Sequence, residues 1–287
     1  MGSLAVVREE GGGSLTPLPR PLLTRPVVRQ LLDSHGLQPS RALGQNFLCE
    51  PGTIEKIVRL AGVGPGDRVV EIGPGLGSLT LGLAAAGATV LAVEVDKYLI
   101  PALTDVVDGL DVEIRHADAR TLDWAHELGD HQWKVVANLP YNVATPLILD
   151  LLASQPALVS WLVMVQREVG ERLAAVPGTS LCGIPSVLAS YWGQARVVGS
   201  VSAEVFLPRP RVESVLVRLD RSPEPTIDAD FSRLAVLVRA GFGKRRKMLR
   251  GSLAGLLTEH EIAAAGVAPT DRAEQLDMDA WGRLARA

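Results

Sequence analysis

The stretch RVVEIGPGLGSLTLGLAAAGATVLAVEVD, from Arg68 to Asp96, decides the fold. Arg68–Ile72 reads as a buried strand and is followed at once by a turn with glycines at Gly73, Gly75 and Gly77. Leu79–Ala86 then has helical character, and Thr89–Val95 is a second strand. Strand, glycine turn, helix and strand in this order form the unit of a parallel sheet that binds a ligand at its strand ends. The glycines let the backbone approach that ligand, and the amide groups opening the helix form a polar cradle. Glu94 closes the second strand 21 positions after Gly73, where an acidic side chain commonly holds ribose hydroxyls. The spacing is G-x-G-x-G, and Ser78 stands where a dinucleotide fingerprint wants its third glycine. That favours S-adenosylmethionine (SAM) over a dinucleotide.

The same rhythm continues outward. Leu99–Val107 predicts a helix, Val112–Arg115 and Trp133–Ala137 strands, Pro146–Leu152 a helix, Trp161–Val165 a fifth strand and Glu168–Ala175 a helix. Such alternation predicts an α/β doubly wound sheet. Arg196–Val201 and Ser214–Leu219 read as a terminal hairpin joined by a long turn, FLPRPRV from Phe206. Past SPEP (Ser222 to Pro225) only helical signals remain: Ser232–Ala240, Lys247–Leu257, Glu259–Ala265 and Asp279–Ala285. Upstream, Met1 to Thr24 is rich in Gly, Pro and Ser and reads as a disordered tail. A helix around Val27–Leu32, the polar loop LGQNFL (Leu43 to Leu48) and a helix over Thr53–Ala61 follow. The expected division is a tail over 1–24, a sheet domain over 25–222 and a small helical domain over 223–287.

Length and composition suit a folded chain with a large core. No apolar run approaches the roughly 20 residues needed to span a bilayer. Two isolated cysteines, Cys49 and Cys182, fit no metal-ligand spacing and set a reduced, cytoplasmic location as the expectation. His35, His116, His126, His131 and His260 are scattered, so no metal is expected. The net charge of −3 excludes a uniformly basic nucleic-acid binder, yet RAGFGKRRKMLR (Arg239 to Arg250) holds six Lys or Arg in twelve residues and no acid. That run predicts a phosphate footprint through Lys244, Arg245, Arg246, Lys247 and Arg250, joined by Arg209 and Arg211.

Chemistry concentrates at Asn138-Leu139-Pro140-Tyr141, directly after the apolar run Val135-Val136-Ala137. Such a turn offers a side-chain amide oxygen, a backbone carbonyl and a ring, enough to hold an exocyclic amino group by its two hydrogens and stack its base. In a doubly wound sheet the first strand lies beside the fourth, so the turns at Gly73 and Asn138 should be neighbours although they stand 65 positions apart. Asn138 and the Leu139 carbonyl are the expected acceptors, with Tyr141 and Phe206 stacking on an unpaired or extruded base that carries the amino group. Asp118, after the third strand, is placed to accept from the cofactor's adenine amino group.

Taken together, LGQNFL, EIGPGLGSLT, VEVD, NLPYN and FLPRPRVES resemble the ribosomal-RNA adenine dimethyltransferase family, and most of all its housekeeping small-subunit branch. MVQREVGERL (Met164 to Leu173), GFGKRRKMLRGSL (Gly241 to Leu253) and DRAEQL (Asp271 to Leu276) extend the likeness from Val27 to the C-terminus. The resemblance implies a Rossmann-like SAM-dependent methyltransferase domain with a small C-terminal helical domain. It also implies a SAM site at Asn46, Leu48, Gly73, Glu94, Asp118 and Asn138. The implied reaction converts two adjacent adenosines near the 3′ end of small-subunit (16S) rRNA to N6,N6-dimethyladenosine during ribosome biogenesis. The implied partner is that rRNA within a pre-ribosomal small subunit, approached by a monomer away from membranes. The sequence departs from the family at Ser180-Leu181-Cys182-Gly183, where relatives often carry Ser-Lys-x-Tyr-Gly. Three alternatives stay open: a drug-resistance methylase of large-subunit rRNA, an assembly factor that acts mainly by binding, and an NAD-dependent dehydrogenase.

Overall fold

The computed structural model describes residues 21–40, 42–140, 143–244 and 246–287. In chain order the elements are α1 (Arg25–Ser34), β1 (Phe47–Leu48), α2 (Pro51–Ala61), β2 (Arg68–Ile72), α3 (Ser78–Ala85), β3 (Thr89–Glu94), α4 (Ile100–Val107) and β4 (Val112–His116). There follow α5 (Trp124–Leu128), β5 (Trp133–Asn138), α6 (Ala144–Ser154), β6 (Leu158–Gln166), α7 (Arg167–Leu173), α8 (Ile184–Trp192), β7 (Gly193–Val201), β8 (Phe206–Leu207) and β9 (Ser214–Arg221). The chain ends in α9 (Phe231–Gly243), α10 (Leu249–Ser252), α11 (Glu259–Ala264) and α12 (Met278–Arg286).

Seven strands form one sheet in the order β4-β3-β2-β5-β6-β9-β7. The first five are parallel, and β9 pairs antiparallel with both β6 and β7. Each central strand alternates its side chains between two cores, as the two-residue period of a strand requires. Val69, Val90, Ala92, Val136, Leu162 and Met164 face α2 and α3. Val70, Leu91, Val93, Val135, Ala137, Trp161 and Val163 face the opposite core with α6 and α8. Burial on both faces is why these strands read as continuous apolar runs in sequence.

α2 begins where Glu50 accepts from the amides of Gly52 and Thr53, with Pro51 in the first turn, and stops at Gly62 in the left-handed conformation. α3 has no polar face. Its residues Ser78 to Leu83 are all buried, and a Cβ at Gly82 would stand 2.5 Å from Ile54 of α2, so the two helices meet at van der Waals distance only because that side chain is absent. The helices after β9 join the core beneath α6 and α8: Leu234, Leu237, Leu249, Ile262, Trp281 and Leu284 are buried in the same cluster as Trp161 and Val163.

Several expectations change. Leu23 is buried and Thr24 accepts from the Val28 amide, so ordered packing begins before the end of the expected tail; residues 1–20 of that tail lie outside the described residues. The helix expected over Lys247–Leu257 is the four-residue α10, because Gly255 takes a φ of +87° that an α-helix cannot hold. The expected long turn from Phe206 contains β8, which pairs antiparallel with β1 of the LGQNFL loop, Leu48 opposite Phe206. α5 and α8 had no counterpart in the sequence reading.

Candidate active site

β2 ends in a turn whose glycines at 73, 75 and 77 have φ of +74°, +60° and +85°. L side chains rarely enter that region. The Gly73 amide donates to Val93 O at 2.9 Å, which ties the turn to β3. A Cβ on Gly75 would lie 3.0 Å from the Phe47 ring, so the turn also fits under the strand of the LGQNFL loop. Ser78 Oγ, opening α3, donates to Leu48 O at 2.5 Å and holds the same loop down.

The neighbouring turn comes from β5. The Leu139 amide donates to Met164 O, extending the β5–β6 pairing by one step, and Pro140 O accepts from the Val143 and Ala144 amides to start α6. A Cβ placed on Gly73 would be 3.9 Å from both Asn138 O and Pro140 Cδ. The two turns are therefore in contact, as the strand order predicts. The Asn138 amide nitrogen donates to Asn46 O at 3.3 Å, which brings the LGQNFL loop over the pair. That loop is anchored further by Gln45, whose Nε2 donates to Asp96 Oδ2 at 2.7 Å and whose Oε1 accepts from the Ser40 amide.

These elements enclose a cavity of about 320 Å³. Asn46, Leu48, Gly73, Glu94, Asp118 and Asn138, the six expected cofactor residues, all lie in its wall, together with Leu139 and Pro140. The volume is in the range of sites for small organic ligands. Glu94 is almost fully buried and accepts from the amides of Gly75 (3.0 Å) and Asp96 (2.9 Å). Burial nevertheless raises its pKa above the usual carboxylate range. Asp118 is half-buried and its carboxylate is bridged by Arg120, which holds its pKa below the usual value. The wall thus combines acidic acceptors, backbone amides beside a helix start and apolar side chains such as Leu76 and Leu79. A nucleoside with a charged tail needs that mixture, so the residues present fit SAM.

Other expected residues fall elsewhere. Phe206 corrects the sequence reading: its ring has no exposed surface and packs among Leu48, Ile54 and Leu216, so it is core and not a face offered to a base. Tyr141 and Arg245 lie outside the described residues. Arg209, Arg211, Lys244, Arg246, Lys247 and Arg250 are exposed, with Arg209 near Glu204 and Arg250 at 4.0 Å from Glu259. Among the described residues, no group of His, Cys, Asp or Glu is arranged to hold a metal, and no helix is long and apolar enough to cross a membrane.

Glu71 was missed as a site residue. It lines the cavity from β2, fully buried, with Thr80 Oγ1 donating to its Oε2 at 2.6 Å. Its signal was visible in RVVEI: an acid two positions from Val69 falls on a face that otherwise belongs to the core.

A mixed α/β sheet with a parallel core and a nucleoside-sized cavity over the contact of β2 and β5 defines a Rossmann-like methyltransferase. The sequence profile of ribosomal RNA adenine dimethylase matches residues 37–287. The chain is 46% identical over 270 residues to a ribosomal RNA small subunit methyltransferase A of Leifsonia xyli subsp. xyli, covering 90% of this chain and 95% of that one. Among solved structures, a dimethyladenosine transferase from Plasmodium falciparum superposes with a TM-score of 0.69 at 24% identity, over 83% of this chain and 95% of that one. The 23S rRNA methyltransferase ErmE does so with 0.67 at 25%, over 84% and 98%. The chain belongs to the ribosomal RNA adenine dimethylase family: it is a SAM-dependent rRNA adenine dimethyltransferase.

Proposed function

We propose that this enzyme dimethylates the N6 amino groups of two adjacent adenosines near the 3′ end of small-subunit rRNA, on a pre-ribosomal particle, as a cytoplasmic monomer. The contact between the Gly73 turn and the Asn138–Pro140 turn in the wall of one cavity carries this reading. Asn46, Leu48, Gly73, Glu94, Asp118 and Asn138 would hold SAM, Glu94 by the ribose hydroxyls and Asp118 by the adenine amino group. When bound, the cofactor supplies an electrophilic methyl on a sulfonium.

The nitrogen to be methylated is a poor nucleophile, because its lone pair is delocalised into the ring. The Asn138 side-chain oxygen and the Leu139 carbonyl accept its two hydrogens, which favours a pyramidal nitrogen with its lone pair turned to the cofactor. Asn138 is neutral, so this is positioning by fixed dipoles and not base catalysis. After the first transfer one hydrogen remains, and the same turn must admit a methyl in place of the other. Pro140 shapes the turn and Tyr141 stacks on the base. Arg209, Arg211 and the Lys244–Arg250 run grip phosphates, with residues 223–287 as an RNA-contacting domain.

The large-subunit reading is weaker, since the curated relative matched over nearly its whole length is named for the small subunit. Mass spectrometry of separated small- and large-subunit rRNA after incubation with protein and SAM decides between them. Dimethyladenosine confined to the small subunit is expected. With Asn138→Ala protein that still binds SAM, methyl incorporation should fall by at least about a hundredfold, in line with loss of a fixed dipole at a reacting centre. Unchanged turnover would remove the Asn138 role.

A further inference from the structure

Glu71 has no part in the roles assigned above, although it faces the same cavity. It is 1% exposed, and the Thr80 hydroxyl donates to it. No described Lys or Arg pairs with it. Among the described residues, the other charged groups in the cavity wall are Glu94 from the end of β3, and Asp118 with Arg120 after β4. Glu94 disfavours a second negative charge beside it, while Arg120 is already engaged by Asp118. Burial is the largest influence, the Thr80 hydrogen bond opposes it, and Glu94 adds a smaller upward push, so that the Glu71 carboxyl is pushed up to about 8. A carboxyl held that high keeps its proton at neutral pH in the cofactor-free protein, and a positive charge placed beside it would favour ionisation.

Methyl donor and spent product differ in one such charge. SAM carries a sulfonium that S-adenosylhomocysteine, a thioether, lacks; the ammonium, carboxylate and nucleoside are common to both. We propose that Glu71 is a positioning residue that reads this charge, meeting the sulfonium as a carboxylate by giving up a proton on binding and regaining one when the charge is gone. The inference rests on the SAM reading of the cavity. Charge balances at each stage. On binding, a cation enters as a proton leaves. On transfer, the methylated nitrogen sheds one proton while Glu71 takes one up. The site would then favour donor over product, which helps a reaction that needs four donors per RNA to clear its spent cofactor.

Calorimetric titration of the full chain with SAM and with S-adenosylhomocysteine tests this, from pH 6 to 9, in two buffers of different ionisation enthalpy. For wild type, SAM affinity should rise by up to about tenfold per pH unit from 6 towards 8 and level off above. Close to one proton should be released per site at the low end, while product affinity stays nearly flat. Glu71→Gln keeps size and the bond from Thr80; it should flatten the SAM profile, abolish the proton release and cut the preference for SAM over product by about tenfold. Thr80→Val should move the break in the SAM profile to higher pH, and it serves if the Gln variant fails to fold. A Gln variant with the wild-type profile overturns the proposal. Equal slopes for both ligands do so too, because they assign Glu71 to the shared ammonium. Wild type that binds neither ligand at any pH sinks the cofactor reading itself, and this inference with it.

Discussion

At the scale of single residues, electrostatics and backbone freedom divide the cavity wall between them. Glu94 and Asp118 are both acids at strand ends, yet burial raises one pKa and Arg120 lowers the other. Glu71 has the plainest consequence for stability. Below its ordinary value of about 4.5 folded and unfolded chains both hold the proton, and burial exacts no ionic cost. Between there and about 8 the unfolded chain has lost the proton while the folded one keeps it, so stability falls as pH rises; above 8 the loss is complete. Urea unfolding of the cofactor-free protein should show Glu71→Gln gaining on wild type from pH 5 to 9, by a few kcal/mol and at most about 5. A gap that does not change with pH would mean the carboxyl is solvated.

Elements matter because they put loops together that sequence keeps apart. β1 and β8 are two residues each, too short for any periodicity, yet they join LGQNFL to FLPRPRV. Phe206 belongs to that joint. Its truncation to Ala should destabilise the protein by about 3–5 kcal/mol, the usual result of emptying a buried aromatic site. Because Leu48 is opposite Phe206 and also lines the cavity, SAM affinity should fall in the same variant. Thermal melts and cofactor titration read the two effects separately. Intact stability and SAM affinity with lost methylation would instead return Phe206 to the base-stacking role.

Across the whole molecule, charge is the quantity to follow. The chain is slightly acidic, so RNA affinity has to come from a local concentration of cations, and Lys244, Arg246 and Lys247 are exposed together. Binding of small-subunit rRNA should weaken with salt by about 0.7 log units per log unit of salt for each single-strand phosphate neutralised. Replacing those three cations by Ala should lower the slope by up to about 2, with SAM affinity unchanged. Filter binding over a salt series measures it. An unaltered slope would move the RNA contact to another surface.

Sequence alone determined the central architecture. Strands buried on both faces must be apolar throughout, and a glycine turn must interrupt them where a ligand approaches, so RVVEIGPGLG and VVANLPY were readable as strand ends and their adjacency followed from strand order. Of the six expected cofactor positions, Gly73, Glu94, Asp118 and Asn138 stand at such strand ends, whereas Asn46 and Leu48 came from the family resemblance alone. Only the tertiary structure decided which polar or aromatic side chains are dry. Nothing local in FLPRPRV says that Phe206 is covered, because its cover comes from Leu48, Ile54 and Leu216, far away in the chain. The raised pKa of Glu71 likewise depends on burial under α3 and on Glu94 from the next strand: burial and charge repulsion are sums over neighbours in space, and a linear string does not hold them.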